Sequence, residues 1–216
     1  MLNEPALNLL HVDAAWIVAD KPSGLLAVPG RGPDKQDCLS SRVQQIYTDA
    51  LIVHRLDMAT SGLMLFARGA EVQRRLSADF AERRVHKRYV AVVSGLPGPS
   101  YDIWQTIDLP ISVDWPQRPL RIIDAELGKP STTRARVMQR DESANTTRVE
   151  LEPITGRSHQ LRVHLQAIGH PILGDALYAP GEVFAQAPRL LLHAHQLQLD
   201  HPTHGGLVDF VSDVPF

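Results

Sequence analysis

Two stretches of the chain place ionisable side chains where folding alone would not require them. His54-Arg55-Leu56-Asp57-Met58-Ala59-Thr60-Ser61-Gly62 sets one carboxylate, Asp57, between an apolar residue and a short Ser/Thr/Gly turn. About a hundred residues later, Thr155-Gly156-Arg157-Ser158-His159-Gln160-Leu161-Arg162-Val163-His164 gathers two arginines and two histidines around a turn-to-helix junction. A carboxylate that meets fixed positive charge stays ionised even when partly desolvated, which is the state a nucleophile or base needs. Arg55, Arg157 and Arg162 are candidate partners for Asp57. The same residues equally allow Asp57 to cap the turn at Thr60-Ser61-Gly62 and do no chemistry. An arginine on a largely buried helix needs a counter-charge, because an unpaired buried charge is costly, and Asp57 is the natural candidate for Arg162.

Other chemistries fit less well. His159 and His164 stand five residues apart, whereas two metal ligands on one helix face want a spacing of four, and no Glu stands beside either as a base. These histidines therefore read as hydrogen-bonded structural or surface groups, and no metal is expected. Ser61 lacks the flanking glycines of a nucleophile elbow, which disfavours a serine hydrolase. Tyr89 follows His86-Lys87-Arg88 and opens an apolar strand. Its ring either packs in the core or is offered to a planar base taken out of a stack. Arg55 either fills the space such a base vacates, touches phosphate, or forms a structural ion pair.

The elements that must position these groups follow from periodicity and breakers. Leu7 to Val12 and Trp16 to Ala19 read as strands, the second ended by Lys21-Pro22-Ser23-Gly24. Residues 38 to 47 form a helix, Leu63 to Ala67 a buried strand, and Ala70 to Arg84 a helix with Val72, Leu76 and Phe80 on one face. Tyr89 to Val93 is a strand. Thr132 to Gln139 and Thr146 to Leu151 form a hairpin around Ser143-Ala144-Asn145. Ser158, a plausible N-cap, opens a helix that runs to Ile168 and ends at Gly169. Leu190 to Leu192 and Leu197 to Leu199 are strand-like. Strands dominate with helices inserted, which argues an α+β fold on an antiparallel or mixed sheet, without repeated βαβ units.

The 216 residues suffice for one domain or two closely packed lobes, and 44% hydrophobic with 21% charged residues is ordinary for a soluble protein. No apolar run reaches membrane-spanning length, the start lacks a secretory pattern, and the single cysteine, Cys38, excludes an internal disulfide. A cytoplasmic protein is expected. The net charge of −2 is not that of a globally basic protein, yet Arg74, Arg75, Arg83, Arg84, Lys87 and Arg88 fall within fifteen residues. Arg118, Arg121, Lys129, Arg134 and Arg136 form a second group. Such separation suggests either one positive, nucleic-acid-binding face or simply solvated charges. No heptad seam is present, and a monomer is expected.

The order of motifs resembles that of the RluA-type pseudouridine synthases. The likeness is carried by Lys21-Pro22-Ser23-Gly24, His54-Arg55-Leu56-Asp57 with Thr60-Ser61-Gly62, Lys87 with Tyr89, and Leu151 through His164. Gly169-His170-Pro171-Ile172-Leu173-Gly174-Asp175 and Leu190-Leu191-Leu192-His193-Ala194 extend it, over about residues 10 to 210. The resemblance implies a central, mostly antiparallel mixed sheet with flanking helices and a basic cleft, in one catalytic domain over residues 1–216. It implies no N-terminal S4-type module, no metal and no organic cofactor. Asp57 then matches the aspartate that attacks the target uridine, and Tyr89 the tyrosine that stacks on the base and helps remove a proton. Arg162 matches the basic residue paired with that aspartate, and Arg55 the side chain that enters the RNA where the base has flipped. Arg83, Arg84 and Lys87 are the expected RNA contacts. The short form of the chain, with Asp114-Trp115-Pro116-Gln117-Arg118-Pro119, points to the subgroup that modifies stem-loops of 23S rRNA, tRNA or both.

Overall fold

The computed structural model describes residues 7–96, 98 and 102–216. In chain order the elements are β1 (Asn8–Val12), β2 (Trp16–Lys21), α1 (Leu39–Ile46), β3 (Ala50–Ile52), β4 (Ser61–Arg68), α2 (Ala70–Ala81), β5 (His86–Ser94), β6 (Gln105–Asp108), β7 (Ile111–Val113) and β8 (Arg121–Ile123). They continue with β9 (Thr132–Asp141), β10 (Thr146–Pro153), α3 (Gln160–Ala167), α4 (Gly181–Phe184), β11 (Leu192–Asp200) and β12 (Leu207–Val211). The fold is α+β. Its described residues divide into two compact units. One holds those through Lys87 with Ala194–Pro215; the other holds Arg88–His193 with Phe216.

In the first unit β1, β2 and β4 pair antiparallel, β3 pairs with β4, and β12 pairs with β11. Side chains along a strand alternate between faces. Trp16, Val18, Leu63, Leu65 and Ala67 accordingly share a core with Leu76 of α2. The intervening Ile17, Ala19, Met64 and Phe66 pack instead with Leu39 and Val43 of α1. A sheet covered on both faces needs a continuous apolar run, which is why Leu63–Ala67 shows no polar alternation. Gly62 has φ of 112°, and a Cβ there would collide with the backbone of Ala194. The Ser/Thr/Gly turn after Asp57 therefore ends in glycine because the neighbouring strand passes against it.

α2 ends at Ala81, three residues before the expected Arg84. No glycine marks the stop. Arg83 takes the left-handed conformation at φ 63°, its N–H bonds Phe80 O at 3.3 Å, and Arg84 N–H bonds Asp79 O at 2.8 Å. These two bonds make a Schellman closure built on a residue that is strained there.

In the second unit β5, β10, β9 and β6 form an antiparallel series, with Leu151 opposite Tyr89 and Ala135 opposite Leu151. The β9–β10 turn uses Asn145 at φ 50°, with Asp141 Oδ1 accepting from Ala144 N–H and the Ser143 hydroxyl. β7 and β8 form a separate short hairpin. Among the described residues no helix is long and apolar enough to cross a membrane.

Candidate active site

Asp57 is half-buried on the segment between β3 and β4, with Leu56 buried and Arg55 exposed before it. What holds this segment is the Lys21-Pro22-Ser23-Gly24 turn. The Lys21 side chain is fully buried, and its ammonium donates to Pro22 O, Leu25 O and Met58 O at 2.9, 2.7 and 3.0 Å. Three N–H groups thus meet three carbonyls, the full donor set of an ammonium. The Ser23 hydroxyl donates to Ala59 O at 2.7 Å, and Gly24 N–H to Met58 O at 2.9 Å. Thr60 N–H closes the turn on Asp57 O at 3.1 Å.

His54 fixes the other end. Its Nε2 accepts the Leu65 N–H at 2.9 Å, so that nitrogen carries a lone pair and the ring is neutral with its proton on Nδ1. The ring stacks on Phe80 at 4.5 Å. Burial first, and the Lys87 charge second, push its pKa down to about 3. Lys87 is itself held below the usual lysine range, chiefly by burial and then by Arg83. The Arg83 and Lys87 charges therefore lie beside a neutral His54. Arg83 and Arg84 are both exposed, but Arg84 is ion-paired with Asp79 at 2.6 Å and with Glu82, which offsets part of its charge.

Tyr89 and Arg162 belong to the second unit. Tyr89 is half-buried on β5. Arg162 lies on α3, only 4% exposed, and its guanidinium grips Asp175 in a two-pronged pair: Nε to Oδ2 at 2.8 Å and Nη2 to Oδ1 at 2.6 Å. Asp175, 1% exposed and directly after Gly174, is thus one counter-charge of this buried arginine. Asp175 Oδ1 also accepts the Leu177 and Tyr178 N–H groups at 2.9 and 3.2 Å. Gly174 is required because the Arg189 backbone occupies the space of a Cβ. The pair takes two of the five N–H groups of the guanidinium.

α3 starts at Gln160, not at Ser158. His159 sits at the N-cap position in the left-handed conformation, φ 58°, with no side-chain cap. Gln160 ties the start of the helix to the chain before it: its Oε1 accepts from the Thr155 hydroxyl and Arg157 N–H at 2.7 and 3.1 Å. Its Nε2 donates to Thr132 O and Thr133 Oγ1, each at 3.0 Å. From Thr133 the chain continues: the hydroxyl lies 2.9 Å from His164 Nδ1, and His164 Nε2 lies 2.9 Å from Leu109 O. Only a donor satisfies a carbonyl, so Nε2 bears the proton and Nδ1 accepts the Thr133 hydroxyl. Burial lowers the His164 pKa and keeps the ring neutral. His159 Nδ1 meets the Tyr178 hydroxyl at 2.6 Å, and His170 Nδ1 meets Ser94 O at 3.0 Å. The histidines of these motifs are engaged in hydrogen bonds.

Lys21, Ser23, His54, Gln160 and Asp175 are the positioning residues that sequence reasoning quoted without a role. The available signals were a lysine closing an apolar strand and an acid directly after a forced glycine.

The sequence profile described as RNA pseudouridylate synthase matches residues 15–167. The chain is 48% identical over 213 residues to the dual-specificity RNA pseudouridine synthase RluA of Escherichia coli (strain K12), covering 99% of this chain and 95% of that protein. It is 47% identical to its namesake from Yersinia pestis, covering 96% and 99%. Among solved structures, Human RNA Pseudouridylate Synthase Domain Containing 1 superposes with a TM-score of 0.81 at 27% identity, over 99% of this chain and 87% of that one. Human RNA Pseudouridylate Synthase Domain Containing 4 gives 0.77 at 25% identity, over 96% and 88%.

Proposed function

Because the chain belongs to the RNA pseudouridylate synthase family and is an isomerase of that kind, we propose that it converts uridines in stem-loops of 23S rRNA and tRNA to pseudouridine with Asp57 as nucleophile. The observation that carries this is the half-buried Asp57 on a segment whose carbonyls are taken up by the buried Lys21 ammonium and by Ser23. A nucleophile held this way has lost its freedom before substrate arrives, which lowers the entropic part of the barrier.

In the reaction the N1–C1′ glycosidic bond breaks, the uracil turns, and a C5–C1′ bond forms; the C5 proton leaves and N1 gains one. Atoms balance with no external reagent. The Asp57 carboxylate attacks the uridine, and its bond to the substrate breaks again as the C5–C1′ bond is made, which returns the free carboxylate; Tyr89 holds the base by its ring and assists proton removal. Arg162 supplies fixed positive charge, its orientation set by Asp175. Arg55 enters the gap left by the flipped base, and Arg83, Arg84 and Lys87 contact the RNA backbone. A loop suits the chemistry because an unstacked uridine costs least to extrude. The working form in this account is a cytoplasmic monomer of one catalytic domain, using no metal and no organic cofactor.

Transcripts of 23S rRNA and of tRNA, incubated with the protein and treated with a carbodiimide that blocks reverse transcription at pseudouridine, test the substrate. Protein-dependent stops in loops of both RNAs are expected. Stops in neither, with the RNA bound, would contradict it.

A further inference from the structure

The three tryptophans of the chain occupy three unlike settings. Trp16 is fully buried in the first unit's core. Trp104 is half-buried, with the guanidinium carbons of Arg88, Arg134 and Arg136 at 4.4, 4.9 and 4.9 Å from its ring centre. Trp115 is 65% exposed, in the turn between β7 and β8. An indole is the largest apolar side chain, and leaving one in water gives the fold nothing; such residues mark contact sites.

The turn that carries it is built to stay still. Asp114 N–H bonds Leu120 O at 3.1 Å, Leu120 N–H bonds Gln117 O at 3.0 Å, and Asp114 Oδ1 accepts Gln117 N–H at 3.1 Å. Pro116 and Pro119 remove backbone freedom on both sides. Arg118 folds back so that its guanidinium carbon lies 4.6 Å from the Trp115 ring centre, with Nε donating to Trp115 O at 3.3 Å. Residues 115–119 are all exposed. Arg118 makes no ion pair among the described residues, although the chain carries 24 acidic side chains. At the root of the hairpin, Arg121 N–H donates to the Tyr178 hydroxyl at 3.0 Å, and the Tyr178 ring lies 5.0 Å from the Arg162 guanidinium carbon.

The geometry points to Trp115 and Arg118 as a stacking platform for one unpaired RNA base outside the target uridine, with the Arg118 guanidinium taking the adjoining phosphate; this rests on RNA being the substrate. A planar indole with one face offered to solvent matches any base. An unneutralised guanidinium fixed beside it matches phosphate in the two-pronged geometry that arginine favours. A protein partner would want apolar surface around the indole, yet its turn neighbours are Pro116, Gln117, Arg118 and Pro119. Rigid presentation also means little ordering cost when the base lands. Through Tyr178 the platform shares a framework with Arg162, so RNA seated on it is registered against a residue of the proposed reaction.

The test uses the full chain and a stem-loop RNA tritiated at uridine C5, following release against RNA concentration. Trp115→Ala should raise KM about tenfold, the loss of one stacked base, with kcat and the melting temperature nearly unchanged. Trp115→Phe, which keeps a flat ring, should stay near wild type, and Arg118→Ala should raise KM several-fold and flatten its salt dependence. RNA should quench tryptophan fluorescence in the wild type, and Trp115→Phe should remove most of that quench. With an active wild type, a KM within about twofold for Trp115→Ala overturns the platform. If the wild type releases no tritium, the proposed reaction has failed instead. The quench then decides alone, and one unaltered in Trp115→Phe overturns the platform.

Discussion

Replacing Asp175 by Asn keeps the volume of the side chain but removes the negative charge that faces Arg162 inside the protein. The two residues are 1% and 4% exposed, and the pair closes at 2.8 and 2.6 Å. Asparagine retains an oxygen for the Leu177 and Tyr178 N–H groups but turns an amide NH2 toward the guanidinium, donor against donor. Breaking one side of a buried pair costs about 3–5 kcal/mol, because the remaining charge stays desolvated. For a chain of this length that corresponds to a fall in Tm of roughly 10 °C. Scanning calorimetry reads the stability, and tritium release reads the rate. The double variant Arg162→Met with Asp175→Leu separates the two effects: apolar residues of similar size should restore Tm to near the wild-type value, while isomerisation remains lost. A single Asp175→Asn variant that melts within about 2 °C of wild type would refute the idea of a tightly coupled buried pair.

Lys21→Met removes the ammonium donors from Pro22 O, Leu25 O and Met58 O, of which Met58 O keeps the Gly24 N–H, and should cost on the order of 3 kcal/mol while sharply lowering kcat, since the Asp57 segment loosens; urea unfolding and tritium release check both. Arg83→Gly removes a non-glycine residue at φ 63° and should stabilise by about 1 kcal/mol. The same change should shallow the salt slope of RNA binding by about 0.7, and a less stable variant would contradict the strain. His54, neutral in the fold with its pKa pushed from the ordinary 6.5 down to about 3, makes the unfolded chain take up a proton that the folded one refuses. Stability is therefore intact above pH 6.5 and is lost as pH falls toward 3. The loss runs at up to about 1.4 kcal/mol per unit. His54→Gln should remove about 2 kcal/mol of the decline between pH 6.5 and 5, read by urea unfolding at both values.

The strands and helices were legible where burial imposes a period. Leu63–Ala67 is apolar throughout because both faces are covered, and Val72, Leu76 and Phe80 recur at helical spacing because α2 buries one stripe. The ends were less legible. α2 stops at a left-handed arginine and α3 starts after a left-handed histidine, and neither residue type announces such a conformation. The motifs exposed the charged residues but not their partners. Arg162 visibly needed an acid, and Asp175 meets it across a loop, a pairing that no motif spacing displays. Lys21 and His54 act on backbone groups, Met58 O and the Leu65 N–H, which every residue possesses and no sequence pattern displays.

The most direct measurement is tritium release from a C5-labelled uridine stem-loop RNA by the wild-type chain and by Asp57→Asn, with no added metal. Formation of the C5–C1′ bond expels the label, so the assay counts the isomerisation itself. Asn keeps the shape of the side chain and loses the nucleophile. Release by the wild type, with none above background from Asp57→Asn despite comparable RNA binding, is the expected result. Near-normal release by Asp57→Asn would contradict the account.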